Sequence, residues 1–163
     1  MTIHVQAPRL VSRADIITAA RSWLDTPYVH QASAKGAGCD CLGLIRGVWR
    51  ELYQSEPELP PPYTPDWNER AWFKSNREEP LLSAAKRNLT PAEDAKPGDV
   101  LIFRVVRDGP AKHCGIMVSE DRFIHAYAGR KVLESWLNRW WRLRLAGRFC
   151  FPQLSDDQQS PLN

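Results

Sequence analysis

Cys41 stands in the run GAGCDCLGL, behind Gly36 and Gly38, where Leu44, Ile45, Val48, Trp49 and Leu52 begin to recur at helical spacing. A cysteine so placed opens a helix, whose free N–H groups and dipole stabilise a thiolate. Asp40 is the natural N-cap. Its negative charge opposes the thiolate, so the dipole needs help from a basic partner. Small neighbours let a substrate backbone approach closely. A free cysteine is also a small hydrophobe that is commonly buried, and residue type alone does not choose between the two.

Two histidines supply the missing base. His113 opens the strand-like run HCGIMV, directly after a turn over residues 107–112. His125 lies in the next run, RFIHAY, and only SerGluAsp (119–121) separates the two. The runs pair as a hairpin, which brings His113 and His125 near one another. A thiol, a base and a group that orients the base are what nucleophilic cysteine chemistry requires. Each histidine could equally be a hydrogen-bonded structural residue.

Zinc is the competing chemistry for Cys39, Cys41, His113 and Cys114. Structural sites favour Cys-x2–4-Cys pairs, whereas here the pairs are Cys-x-Cys and an adjacent His-Cys, whose side chains point to opposite faces of a strand. No metal is expected. Arg139, Trp140, Trp141, Arg142, Arg144 and Arg148 form a basic, aromatic stretch. Its alternation over 142–145 reads as a half-buried strand with a solvated Arg face rather than as a nucleic-acid surface.

The elements that must position these residues follow from the rest of the chain. Its 163 residues suit one domain, with a real core and no need of staples. With 22 Lys+Arg against 19 Asp+Glu, the net charge of +3 gives no argument for nucleic acid. No apolar run is long enough to span a membrane, and no secretory signal is read at the N-terminus. Synthesis in a reducing cytoplasm, with the four cysteines as thiols, is therefore expected.

Residues 1–12 read as an extended arm. Ser12 and Asp15 cap a first helix that stops before Pro27. The second helix runs from Cys41 to Tyr53. Residues 55–80 form a Pro-rich insertion carrying Trp67, Trp72 and Phe73, with a short helix near Trp67–Lys74, and a helix over Leu81–Asn88 brings the chain back. Strands are expected over Val100–Val106, Cys114–Val118, Arg122–Tyr127, Lys131–Glu134 and Gly147–Phe151, and a polar tail over 153–163. Helices first and antiparallel strands later predict an α+β fold.

Several of these segments are similar to a known family. GCDCLGLIRGVWREL resembles the NlpC/P60 signature, in which Asp-Cys-Ser-Gly opens the catalytic helix. KPGDVLIF (96–103) resembles that family's Pro-Gly-Asp strand start, KHCGIMV (112–118) its His-x-Gly-Ile strand, and RFIHAY (122–127) the strand with the third polar residue. TPYVHQASAKGAGCDCLGL, PYTPDW and SWLNRWWRLRLAGRFCFP resemble one branch, the small cell-wall peptidases of phage and gene-transfer-agent tails.

The resemblance implies a papain-like α+β fold and a cysteine peptidase without cofactor that cuts cell-wall peptides, typically between D-γ-glutamyl and a diamino acid. It implies Cys41 as nucleophile, His113 as general base and acid, and His125 as the orienting residue. Tyr28 is placed near the oxyanion and substrate, and Asp40 near a substrate amine. Where the family has Ser after the cysteine, this chain has Leu42, which cannot hydrogen-bond a free N-terminus. The implied partners are peptidoglycan peptides and tail-tip or baseplate hub proteins, with no nucleic-acid substrate and no membrane insertion. The implied location is the cytoplasm during assembly, then the virion tail, with action on the wall of the target cell. A structural tail-tip plug on a peptidase fold, and a housekeeping wall peptidase, are the alternatives.

Overall fold

The computed structural model describes residues 10–63, 77–152 and 154–155. Helix α1, Arg13–Arg21, starts at a capping box: the Asp15 N–H donates to Ser12 Oγ (3.0 Å) and the Ser12 N–H to Asp15 Oδ2 (3.1 Å). Such a cap is worth about 1 kcal/mol. The loop after α1 holds a two-residue hairpin, β1 (Ser33–Ala34) with β2 (Gly38–Cys39), turning at Gly36, whose φ is 78°. β2 leads through Asp40 straight into α2, Cys41–Tyr53. The hairpin lies so close to the start of α2 that a Cβ on Gly43 would fall 1.9 Å from the Ala32 carbonyl oxygen. Only glycine fits there.

Helix α3, Pro80–Asn88, begins with Pro in its first turn, where the missing N–H costs nothing. The chain then builds an antiparallel sheet from β3 (Thr90–Pro91), β4 (Val100–Phe103), β5 (His113–Ser119), β6 (Arg122–Ala126), β7 (Val132–Trp136) and β8 (Leu145–Cys150). The spatial order is β3-β8-β4-β5-β6-β7. A short helix, α4 (Arg139–Arg142), joins β7 to β8.

Alternation along the strands separates two apolar layers. Ile102, Cys114, Ile116 and Ile124 face α1 and α2, against Ile16, Leu44, Val48 and Trp23. Leu101, Phe103, Met117 and Phe123 face the other way, onto Leu137 and Trp141. With both faces covered, β4 is buried at all four positions. Burying one side chain of this size contributes about 1.5–3 kcal/mol.

The architecture is the α+β arrangement expected, with an antiparallel sheet, and α2 has the expected bounds. Three local readings are corrected. β4 ends at Phe103, because residues 104–112 are needed to turn into β5; Asp108 adopts φ 60° in that turn, and Val106 is exposed. Residues 142–145 are not an alternating strand. Asn138 caps α4, accepting from the Trp141 N–H (3.2 Å), and β8 starts only at Leu145. The Arg144 guanidinium instead stacks 3.7 Å over the Trp140 ring. The loop after α1 contains the β1–β2 hairpin, where no strand is predicted.

Of the Pro-rich insertion, residues 55–63 have no helix or strand, and Glu56 ties them to α2 through Arg46 (2.9 Å) and Arg50 (2.5 Å). Trp67, Trp72, Phe73 and the helix predicted near Trp67–Lys74 lie outside the described residues, as do most of the N-terminal arm and the polar tail. At the inner ends of those two segments, Val11 bridges Leu154, and the Ser155 N–H donates to the Val11 carbonyl (2.9 Å). Among the described residues no helix is long and apolar enough to cross a membrane.

Candidate active site

Asp40 closes the start of α2 with both carboxylate oxygens. Oδ1 accepts from the Gly43 N–H (2.7 Å), and Oδ2 accepts from the Gln31 N–H (2.8 Å) and from the Tyr63 hydroxyl. The residue is 2% exposed, so a substrate amine would have to share Oδ2 with Tyr63. Burial, then the bond to Asp40, pushes the Tyr63 hydroxyl far up, keeping it protonated as a donor.

Cys41 is therefore the first helical residue after a cap that is fully engaged. It is half-buried, and its Sγ lies 3.8 Å from the Lys112 carbonyl oxygen. A hydrogen bond from the Cys114 thiol, then the bond and charge of His113, hold the Cys41 thiol well below the ordinary thiol range, against burial and Asp40. Cys114, the donor, is correspondingly raised. Burial pushes Cys39 up to about 12 and also raises Cys150.

His113 is the first residue of β5. Its ring stacks on Trp141 at 5.4 Å and 29°, which shields one face from water and fixes the ring plane. His113 Nε2 lies 2.8 Å from His125 Nδ1, and His125 Nε2 lies 2.9 Å from Ser135 Oγ. His125 is completely buried; that burial, then the charge of His113, lowers it from 6.5 to about 3. It is thus neutral near pH 7. A neutral imidazole has one donor and one acceptor. With His125 Nδ1 accepting from the His113 Nε2–H, His125 Nε2–H donates to Ser135, and Nδ1 is left as the His113 nitrogen that can take the proton of the Cys41 thiol.

Strand register makes this relay. Ile116 pairs with Ile124, which puts Gly115 opposite His125 and His113 on the diagonal. His125 pairs with Leu133, which puts Ser135 on the next diagonal. Diagonal neighbours share a face within reach of aromatic side chains. A Cβ on Gly115 would lie 2.7 Å from the Ile124 carbonyl oxygen and 3.1 Å from His125 Cβ, so glycine permits the approach of the two strands.

Tyr28 is half-buried on the segment that bridges Cys39. Burial, then the charges of Cys41 and Asp40, pushes its hydroxyl to about 12. Leu42 and Cys114 line one wall of a cavity of about 710 Å³ that extends between α2, residues 57–63 and α3. Among the described residues, no three His, Cys, Asp or Glu side chains group as metal ligands would.

The structure brings His113 and His125 into contact, puts Cys41 under the influence of His113, and sets Asp40 at the cap before Cys41 and Tyr28 beside Cys39. Sequence reasoning missed Ser135, Trp141, Tyr63 and the effect of Cys114 on the Cys41 thiol. Ser135 had a signal: it is two residues beyond the partner of His125, legible only once the register is known.

Comparison with known proteins bears on the fold and the family. The NlpC/P60 family profile matches residues 25–148. The gamma-DL-glutamyl hydrolase of Bacillus subtilis is 26% identical over 160 residues; these are 98% of this chain and 34% of that protein, so the chain spans about a third of its length. A probable endopeptidase of Haemophilus influenzae is 27% identical over 128 residues, 75% of this chain and 67% of that protein. An NlpC/P60 protein of Bacillus cereus superposes with a TM-score of 0.64 at 20% identity, over 88% of this chain and 41% of that one. The NlpC/P60 domain of the peptidoglycan hydrolase SagA gives 0.56 at 20% identity, over 86% of this chain and all of that one. The antiparallel sheet and the helix opened by Cys41 are thus the fold of these proteins, and the chain belongs to the NlpC/P60 family of cysteine peptidases.

Proposed function

We propose that this protein is a cysteine endopeptidase that hydrolyses peptidoglycan stem peptides, with Cys41 as nucleophile, His113 as base and acid, and His125 as the residue that orients it. The observation that carries this is the 2.8 Å contact between His113 Nε2 and His125 Nδ1, behind a thiol drawn down at a helix N-terminus. The Cys41 thiolate attacks the amide carbonyl. The Cys41 N–H and the Tyr28 hydroxyl donate to the developing oxyanion. His113 Nδ1–H protonates the leaving amine, and then, as base, activates the water that opens the thioester. Acyl transfer of this kind runs without metal or cofactor.

The bond proposed is that between D-γ-glutamyl and a diamino acid. The family resemblance supports it, as does the name of the Bacillus subtilis relative, a gamma-DL-glutamyl hydrolase. The setting proposed is a phage or gene-transfer-agent tail that delivers the enzyme to the wall of the next cell and holds it on hub proteins. That part rests on the resemblance of residues 26–44, 62–67 and 135–152 to that branch.

Digestion of purified peptidoglycan, with mass spectrometry of the fragments, tests the reaction. New N-termini on the diamino acid are expected from the wild type and not from Cys41→Ala. Release of sugars, or no release, rejects the reading.

A further inference from the structure

A second cavity, of about 290 Å³, lies where the turn between β6 and β7 faces α4. Its size suits one residue rather than a whole peptide. Two of its walls belong to the histidine relay. One is Trp141, on which the His113 ring stacks at 5.4 Å, and the other is His125, whose Nδ1 lies 2.8 Å from His113 Nε2. The turn on the third side is tied to the segment before the nucleophile, the Tyr28 N–H donating to the Arg130 carbonyl (3.2 Å).

The lining is aromatic and carries one permanent charge. Tyr127 and Trp140 are 43% and 42% exposed, two rings that the core leaves in water. Trp140 is nonetheless held in place, edge-on against Trp141 at 4.8 Å and stacked under the Arg144 guanidinium at 3.7 Å. The charge is that of Arg130. Its guanidinium lies 5.9 Å from the Tyr127 ring and makes no ion pair among the described residues, whereas the next residue, Lys131, is paired with Asp25. A guanidinium in an aromatic pocket that has no carboxylate of its own fits a carboxylate brought by a ligand.

We propose that this pocket takes the side chain of the leaving diamino acid and that Arg130 binds the carboxylate at the far end of that side chain. The inference rests on the proposed function, which puts the leaving amine at His113. Atoms attached to that amine then lie next to Trp141 and His125, the walls that the relay and the pocket share. Diaminopimelate and lysine both carry a distal ammonium, which the Tyr127 and Trp140 rings attract. Only diaminopimelate carries a carboxylate beside it. Arg130 pairs with that carboxylate and repels the ammonium of a lysine, which arrives alone. The residue thus sets a preference for diaminopimelate over lysine on the leaving side of the bond.

The test compares two synthetic peptides, in which L-alanyl-D-γ-glutamyl is joined to meso-diaminopimelate or to L-lysine. Each bears D-alanine on the α-carboxyl, so the distal carboxylate is the difference between them. Full-length wild type should cut the diaminopimelate peptide with a kcat/KM about 10–100-fold higher, the size of one charge-assisted hydrogen bond. Amidation of the distal carboxyl should cost the wild type as much as the change to lysine. Arg130→Gln should erase the preference through a higher KM for the diaminopimelate peptide, and Arg130→Lys should keep part of it. The ratio of the two rates is independent of the folded fraction, so a stability defect does not imitate the result. Wild type that cuts both peptides alike, or Arg130→Gln that keeps the preference, overturns the inference alone. A folded wild type that cuts neither peptide overturns the proposed bond and the inference with it.

Discussion

Gly115 stands directly opposite His125 across the β5–β6 pair, and it is the missing side chain at 115 that lets the His113 ring reach His125 along the diagonal. A methyl group there would meet the Ile124 carbonyl oxygen at 2.7 Å, a backbone atom that cannot swing aside. Gly115→Ala should therefore part the strands, lower stability by about 1–3 kcal/mol, and reduce turnover further than that loss explains. Thermal melts and hydrolysis rates measured below the melting range check it. Unchanged turnover would show that the two histidines do not depend on this approach.

The relay should show graded effects. His113→Ala removes the proton-transfer group, a contribution of about 10²–10⁴-fold. His125→Ala should cost less, since its role is to hold His113, and should leave the fold intact. Ser135→Ala should cost least in rate, but it strands the buried His125 Nε2–H, a penalty of about 1–3 kcal/mol. Rates and melts for the three variants give the order. Equal and negligible rate effects at 113 and 125 would dismiss the triad.

His125 makes stability depend on pH, and the sign is set by its lowered value. Between about 6.5 and about 3, the unfolded chain holds a proton on this side chain that the folded chain does not. Stability therefore falls as pH falls through that window, and the loss is complete below it. His125→Gln should flatten the fall by up to about 1.4 kcal/mol per pH unit. Denaturant titrations of both proteins between about pH 7 and 4 compare the slopes; parallel curves would refute the assignment.

Alkylation should single out Cys41. Near neutral pH it carries thiolate character, whereas Cys39 is pushed to about 12, and Cys114 and Cys150 are raised. Brief treatment with iodoacetamide followed by peptide mapping should find Cys41 labelled first. Label appearing first on Cys39 would reassign the nucleophile.

Local signals carried much of this architecture. The Ser12–Asp15 box, Asp40 and the apolar spacing from Leu44 to Leu52 mark α1 and α2 because caps and periodicity act within a few residues. The hairpin from His113 to His125 was legible for the same reason. What failed was set at longer range. The end of β4 depends on how many residues the turn into β5 consumes. The reading of 142–145 followed side-chain alternation and passed over Asn138, a cap four residues upstream. Ser135 and Tyr63 acquire their roles through strand register and through a bond to Asp40 spanning 23 residues, and neither leaves a local pattern.

The bridge between Val11 and Leu154 has a practical consequence for handling the molecule. The described chain enters and leaves at one spot, because Val11 and Leu154 are bridged neighbours. The two ends could also be spliced by a short linker and the chain reopened in an exposed turn, such as that around Gly129, without cutting α2 or the His113–Ser135 relay. A permuted protein of that kind would present new ends elsewhere on the surface, which frees the choice of where to anchor it.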